Sequence, residues 1–449
     1  MAADKGITTR IALRAATLQF SDLANAARTV AKQCLLDCIG VAVAGRNEPL
    51  TRMLREDALD AGGHPQSSVI GAGIKVTEEQ AALINGAASH AHDYDDVHFA
   101  MNGHPTVPIA PAALALAESR SKSGKDLLTA FAAGVDTACL IGRYLGQSHY
   151  EAGWHATGTL GAFGAAAASA RILDLNPEAT ARALGIAGTQ AAGLKCQFGT
   201  MVKPLHAGHA AATGLTAARL AKRGFTSRTD ILETAQGFAA TQGTSASVER
   251  FERALLSDSH LPDVCFKYHA ACYLTHSAIT ATRRLVSEFG IAPGDVTAVT
   301  LHVPRGHFSV CNIPVPATGL EAKFSLRFTT AMALAGRDTA AIDAYTDSLT
   351  REHDLVALRD RVTVEARDDE RRDTRVDIHV GSSVRSQEID VGIPATNLDA
   401  QWESLSRKFH ALVDPAMGHA AATRIEALCR HLEGESDLTE FFTLLRATA

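Results

Sequence analysis

The period of the hydrophobic pattern changes twice along this chain, and that change constrains the fold more than any other feature. Up to about residue 264, apolar residues recur at helical spacing; Leu23, Ala27, Val30, Cys34, Ile39 and Val43 form one such stripe within 21–46, with Ser21 and Asp22 as capping candidates. Between 265 and 395, one helical run at 273–289 is followed by alternating stretches at 298–304, 361–365, 374–380 and 387–391, the period of a half-buried strand. The charged connector 368–373 makes 361–365 and 374–380 look like a hairpin. From Asp399 the helical spacing returns. The expectation is a mainly α protein: a large helical domain from both chain ends, 1–264 and 396–449, with an α+β domain inserted at 265–395.

Small residues decide how those helices pack. Ala and Gly are abundant while aromatics make up 5% of the 449 residues, so close backbone approach must replace bulky side chains. The Gly153 to Gly164 stretch, with Gly three apart, reads as helix packing rather than a dinucleotide fingerprint, since no strand precedes it. Further helices are expected at 79–92, 108–121, 126–144, from Pro177 through Ala192, at 201–222 and at 230–233.

A net charge of −6 offers no basic field for nucleic acid, and no uninterrupted apolar run reaches 18 residues, so neither nucleic acid nor membrane is an expected partner. Eight cysteines show no C-x-x-C pair and no disulfide-like framework, a usage that suits a reducing cytoplasm and argues against an iron–sulfur hydratase. Cys34 and Cys38, four apart on one helix, read as core residues.

Chemistry concentrates at 90–105, which holds His90, His92, His98, His104, Asp93, Asp95 and Asp96 between two Ala-rich helical runs. Pro105 and Pro108 are expected to leave 97–107 as a loop. Titratable groups on a loop held between buried helices are a usual way to build an acid–base site; a metal cluster or a solvated turn is the bland alternative. Four more stretches carry polar groups in apolar surroundings: 143–155, 203–209, 267–276 and 312–327. His206 and His209 have a spacing that also suits metal ligands, but no carboxylate stands at a matching offset, so no metal is assigned.

Five motifs in order resemble the MmgE/PrpD family: Asp93-Tyr94-Asp95-Asp96 with Gly103-His104-Pro105; Trp154-His155 with Thr157-Gly158-Thr159-Leu160-Gly161; Lys203-Pro204 with His206 and Gly208; Lys267 with Cys272 and Thr275-His276; and Glu321 to Leu326. The resemblance spans essentially the whole chain. It implies a helical domain completed by the C-terminus, a smaller α+β lid domain, a homodimer and no cofactor. Among 2-methylcitrate dehydratases, cis-aconitate decarboxylases and iminodisuccinate epimerase, it implies catalytic roles for Asp93, His104, His155 and Lys203. Cys272 falls where members carry histidine or cysteine. Two positions depart: Val97 and Val310 stand where the decarboxylases have threonine and tyrosine.

The shared chemical problem is breaking or remaking a bond next to a carboxylate. Lys203 and Arg143 are the cations expected to stabilise enolate-like charge, and His104 or His155 the base. Tyr144, as a further catalytic group, with Tyr150, Lys267, His269 and Cys272 as substrate-binding groups, completes the expected set. The loss of two hydroxyls favours an epimerase of an iminodicarboxylate, which needs no leaving-group acid. A 2-methylcitrate-type dehydratase is the alternative, ahead of a decarboxylase and of a non-catalytic dicarboxylate-binding protein.

Overall fold

Helices α1 (Asn25–Gly45), α2 (Glu78–His90), α3 (Thr106–Ser119), α4 (Gly124–Leu145), α5 (Ala156–Ile172) and α6 (Val202–Lys222) carry the N-terminal part of the chain. The computed structural model describes residues 6–369 and 371–448. Local chemistry sets the helix starts. Thr77 and Gln80 form a capping box on α2, and Ser123 and Asp126 form one on α4, each satisfying amide groups that the first turn leaves unpaired.

The loop expected to run to 107 ends earlier, because α3 begins at Thr106 and takes Val107 and Pro108 into its first turn. Proline is tolerated there: a first-turn amide has no intrahelical acceptor to lose. The helix expected through Ala192 stops at Gly188, and beyond it the Gly193 carbonyl accepts the His155 amide at 2.9 Å. The short helix expected at 230–233 is a turn, in which Glu233 reaches away to accept from the Thr8 hydroxyl at 2.5 Å.

Backbone proximity replaces bulk in this bundle. A side chain at Gly86 of α2 would sit 2.8 Å from the Gly208 Cα, and one at Gly208 of α6 would meet the Leu83 carbonyl at 2.1 Å. The two helices therefore touch main chain to main chain, running antiparallel, with the C-terminus of α2 beside the N-terminus of α6.

Contacts divide the chain into two units, Met1–Phe266 with Ala395–Ala449, and Lys267–Pro394. In the second, α7 (His276–Phe289) packs on a sheet of β1 (Val296–Pro304), β2 (Val362–Arg367), β3 (Thr374–Val380) and β4 (Ser383–Ile389), in the order β2-β1-β3-β4. The expected hairpin between β2 and β3 does not form. Strand β1 lies between them, parallel to β2 and antiparallel to β3, and the hairpin is β3–β4. Val299, Leu301 and Val303 explain this: β1 buries one full face and so takes the centre of the sheet.

The C-terminal helices α8 (Leu398–Met417) and α9 (His419–Arg430) return to the first unit. Lys408 of α8 is buried, pairs with Asp37 of α1 at 2.6 Å and donates to the Tyr94 carbonyl at 2.7 Å, pinning the 91–105 loop from below. All eight cysteines are free thiols. Among the described residues, no helix is long and apolar enough to cross a membrane.

Candidate active site

Four helix ends meet at the 91–105 loop: the C-terminus of α2, carrying His90, and the N-termini of α3, α5 and α6. Gly103 makes the closest approach. A Cβ there would lie 2.9 Å from the Thr157 amide nitrogen, so only glycine lets the loop rest on the first turn of α5. The next residue, His104, donates its amide to Thr157 Oγ1 at 3.1 Å. Asp96 accepts from the Thr106 amide at 3.3 Å and from its hydroxyl, capping α3. Burial pushes the Asp96 carboxyl up to about 7, with the Thr106 hydrogen bonds opposing and Asp37 and Asp95 adding to the rise. Three helix N-termini point positive dipole ends at one place, which favours an anionic ligand.

Asp93 sits in the left-handed region, with φ of 52°, a conformation that aspartate tolerates better than most side chains. The turn places its Oδ1 2.7 Å from Lys203 Nζ and 3.6 Å from His104 Nε2. Lys203 lies in the first turn of α6, and its ammonium also stands 5.4 Å from the Phe198 ring centroid.

His104 is held from its other side. Its Nδ1 faces two acceptors, the Asp96 carbonyl at 2.7 Å and Asp95 Oδ2 at 2.9 Å, so Nδ1 carries the proton and Nε2 is left as the basic nitrogen. Asp95 also accepts from His90 Nδ1 at 2.9 Å. Burial alone would raise the Asp95 carboxyl, but the two imidazole donors outweigh it and hold the group well below the ordinary carboxylate range. His90 is pushed down to about 4, by burial first, and its Nε2 has no hydrogen-bond partner. Its ring lies 4.7 Å from that of His104 and stacks at 5.7 Å on that of His155.

His155 precedes α5 but makes no side-chain cap, which leaves its ring to the site. There its Nδ1 meets His206 Nδ1 at 3.0 Å, and the Phe198 ring stands edge-on at 4.9 Å. Burial holds His155 well below its ordinary value, and lowers His206 as well. Both imidazoles are neutral at physiological pH, suited to accept a proton or donate a hydrogen bond.

His90, Asp93, Asp95 and His104 bring their ligand atoms within 4.8 Å of one another, close enough to share a divalent cation. The positive charge at Asp93 is already supplied by Lys203. The geometry thus describes a general base held by a carboxylate, beside a cation.

Asp93, His104, His155 and Lys203 are brought together. Tyr144 is not: its ring packs against Phe251 at 6.5 Å, and burial followed by the charge of Glu233 raises its hydroxyl pKa. Arg143 is exposed, and its carbonyl accepts from Arg250 Nε at 3.1 Å. Tyr150 lies under Lys195, whose Nζ stands 3.6 Å from the ring centroid. Lys267, His269 and Cys272 belong to the second unit, where Lys267 is buried, His269 Nδ1 hydrogen-bonds with the Thr339 hydroxyl at 2.8 Å, and Cys272 joins the core under the sheet. Burial pushes His269 down to about 3. Sequence reasoning placed His90 and Asp95 in the acid–base stretch without individual roles, gave Phe198 none, and considered His206 as a metal ligand and as part of a family motif. Histidines flanking the D-x-D-D run, and the three-residue step from Lys203 to His206 on one helix face, were the available signals.

The MmgE/PrpD N-terminal domain profile matches residues 9–250, and the MmgE/PrpD C-terminal domain profile matches residues 269–433. The chain is 27% identical to a cis-aconitate decarboxylase of Aspergillus terreus over 478 aligned residues, covering 99% of this chain and 96% of that protein. It is 28% identical to cis-aconitate decarboxylase of Homo sapiens, covering 72% of this chain and 69% of the human protein. A cis-aconitate decarboxylase-like protein of Aspergillus oryzae is 31% identical over 58% of this chain and 57% of its own length. Matches that take in both units, together with a site built from the family's own motifs, have one meaning: this chain belongs to the MmgE/PrpD family.

Proposed function

We propose that this protein is a lyase that moves a proton at a carbon next to a carboxylate of a small di- or tricarboxylate. The observation that carries the reading is the Asp95–His104–Asp93–Lys203 chain of contacts: a histidine whose Nδ1 is tied down, whose Nε2 is basic, and whose far side faces a carboxylate paired with an ammonium. His104 Nε2 takes the α-proton, Asp95 stabilises the imidazolium that results, and Lys203 stabilises the enolate-like charge on the substrate carboxylate. In dehydration the same imidazolium then gives its proton to the departing hydroxyl. In decarboxylation no α-proton is removed, and His104 enters as the imidazolium and protonates the carbon that carbon dioxide leaves. Neutral His155 serves as a hydrogen-bond donor to the developing charge.

The named relatives are decarboxylases, which supports a lyase over the isomerase expected from the two lost hydroxyls. Val97 favours dehydration over decarboxylation, because a side chain without a hydroxyl replaces the threonine of the decarboxylases. Epimerisation of an iminodicarboxylate is the second reading, favoured by two imidazoles, His104 and His155, whose rings both pack against His90.

The test is a panel of citrate-like acids and iminodicarboxylates in D₂O, followed by proton NMR. Alkene signals from a hydroxy acid support the dehydratase, and carbon dioxide release moves the assignment to a decarboxylase. Deuterium at the α-carbon with scrambled stereochemistry and no alkene establishes the epimerase instead. No exchange or turnover with any of these acids rejects this substrate class.

A further inference from the structure

A second cluster of ligating side chains lies at the junction of α8 and α9, built from different residues of the first unit. His410 and Asp414 stand one turn apart on α8, with His410 Nδ1 2.7 Å from Asp414 Oδ1. Gly418, with φ of +83°, ends α8 and turns the chain so that His419, the first residue of α9, faces back. His419 Nδ1 then lies 2.8 Å from the second oxygen of Asp414. The ligand atoms of the three residues fall within 4.8 Å of one another.

A fourth residue separates this cluster from an ordinary ion pair. Glu426 of α9 accepts from His410 Nε2 at 3.1 Å. It is itself fixed by Trp402 Nε1 at 2.8 Å, Ser406 Oγ at 2.9 Å and Arg430 at 3.2 Å. Carboxylates face both His410 nitrogens, so a cation would replace the Nδ1 proton at Asp414 while Nε2–H stays on Glu426. This carboxylate–histidine arrangement is the one that orients imidazole ligands on zinc, with the outer carboxylate raising ligand basicity. Two imidazole nitrogens and one carboxylate oxygen suit a borderline first-row cation, with the fourth tetrahedral position left to water.

We propose that His410, Asp414 and His419 form a zinc-type divalent cation site that clamps α8 to α9, with Glu426 as the positioning residue. Ligand atoms on a tetrahedral zinc lie about 3.3 Å apart, so the two imidazole contacts to Asp414, now 2.7 and 2.8 Å, lengthen by roughly half an ångström on binding. His419 is mostly exposed, which gives the ion an entry path and makes the residue replaceable without opening the core.

The test is calorimetric titration of the chelator-stripped full chain with zinc, alongside its thermal unfolding. The site predicts saturable binding that raises Tm. His419→Ala weakens that binding about 100-fold and abolishes the rise, whereas Glu426→Gln weakens it about tenfold. Binding also declines as pH falls, because both imidazoles must be unprotonated to ligate. Failure of the wild-type chain to bind zinc overturns the site. So does unchanged zinc affinity in both His419→Ala and Asp414→Asn, which would place the ion elsewhere, such as at the His90–His104 cluster.

Discussion

His90 and His98 are eight residues apart, both fully enclosed, and burial pushes both down to about 4. Their surroundings differ in one respect. The His98 ring is satisfied by main chain on both sides, donating from Nε2 to the His260 carbonyl at 2.9 Å and accepting at Nδ1 from the Ala100 amide at 3.0 Å. His90 and His104 instead share one carboxylate, Asp95, and leave Nε2 atoms directed elsewhere, with Lys203 close by. A depressed histidine pKa therefore reports burial in both places. Only an uncommitted nitrogen, held in place by a carboxylate and set beside a cation, marks chemistry.

The first way to break this contrast is to remove the cation. Lys203→Ala is expected to lower kcat about 10³-fold with native far-UV circular dichroism, since the lost charge stabilises the transition state. Next, Asp95→Asn frees the His104 tautomer and is expected to cost about 10²-fold in kcat, recorded as a pH–rate profile whose acidic limb, set by the base, moves with it. Smaller again is His90→Gln, expected to cost about tenfold through loss of one of the two imidazole donors that hold Asp95.

On the His98 side the expected effects are on stability. His98→Gln should leave kcat within about threefold while lowering stability by roughly 1–3 kcal/mol, measured by urea unfolding. The pH dependence sharpens this. His98 is near 4 when folded and near its ordinary 6.5 when unfolded, so between those values the unfolded chain binds more protons. Its stabilising contribution is complete above about 6.5 and is lost as pH falls towards 4. The substitution should remove about one proton, or about 1.4 kcal/mol per pH unit, from the slope of stability over that window.

Much of the fold was legible because helical and strand periods are local properties of a sequence. The long helical runs, the strands at 298–304 and 374–380, and the return to helix at 399 have counterparts in the structure, whereas the short helix expected at 230–233 does not. Strand pairing was not legible. The connector 368–373 suggested a hairpin, but pairing depends on which strand buries most, and β1 entered from some sixty residues upstream. At the site, Asp93, His104, His155 and Lys203 were singled out by the resemblance to the MmgE/PrpD motifs, and the structure brings these four into one cluster. Tyr144 was misplaced because sequence proximity to Arg143 and His155 says nothing of helix rotation, and α4 turns that ring towards Phe251. The roles of His90 and Asp95 needed three dimensions: a carboxylate shared by two imidazoles has no spacing rule.

The central claim is that His104 Nε2 is the base. Incubating wild-type and His104→Gln proteins in D₂O with whichever acid the panel shows to turn over, and counting deuterium at the α-carbon by NMR, tests it most directly. Exchange by the wild-type chain and a fall of about 10²-fold or more in the variant is the predicted result. Equal exchange rates in the two proteins would contradict the assignment and pass the role to His155.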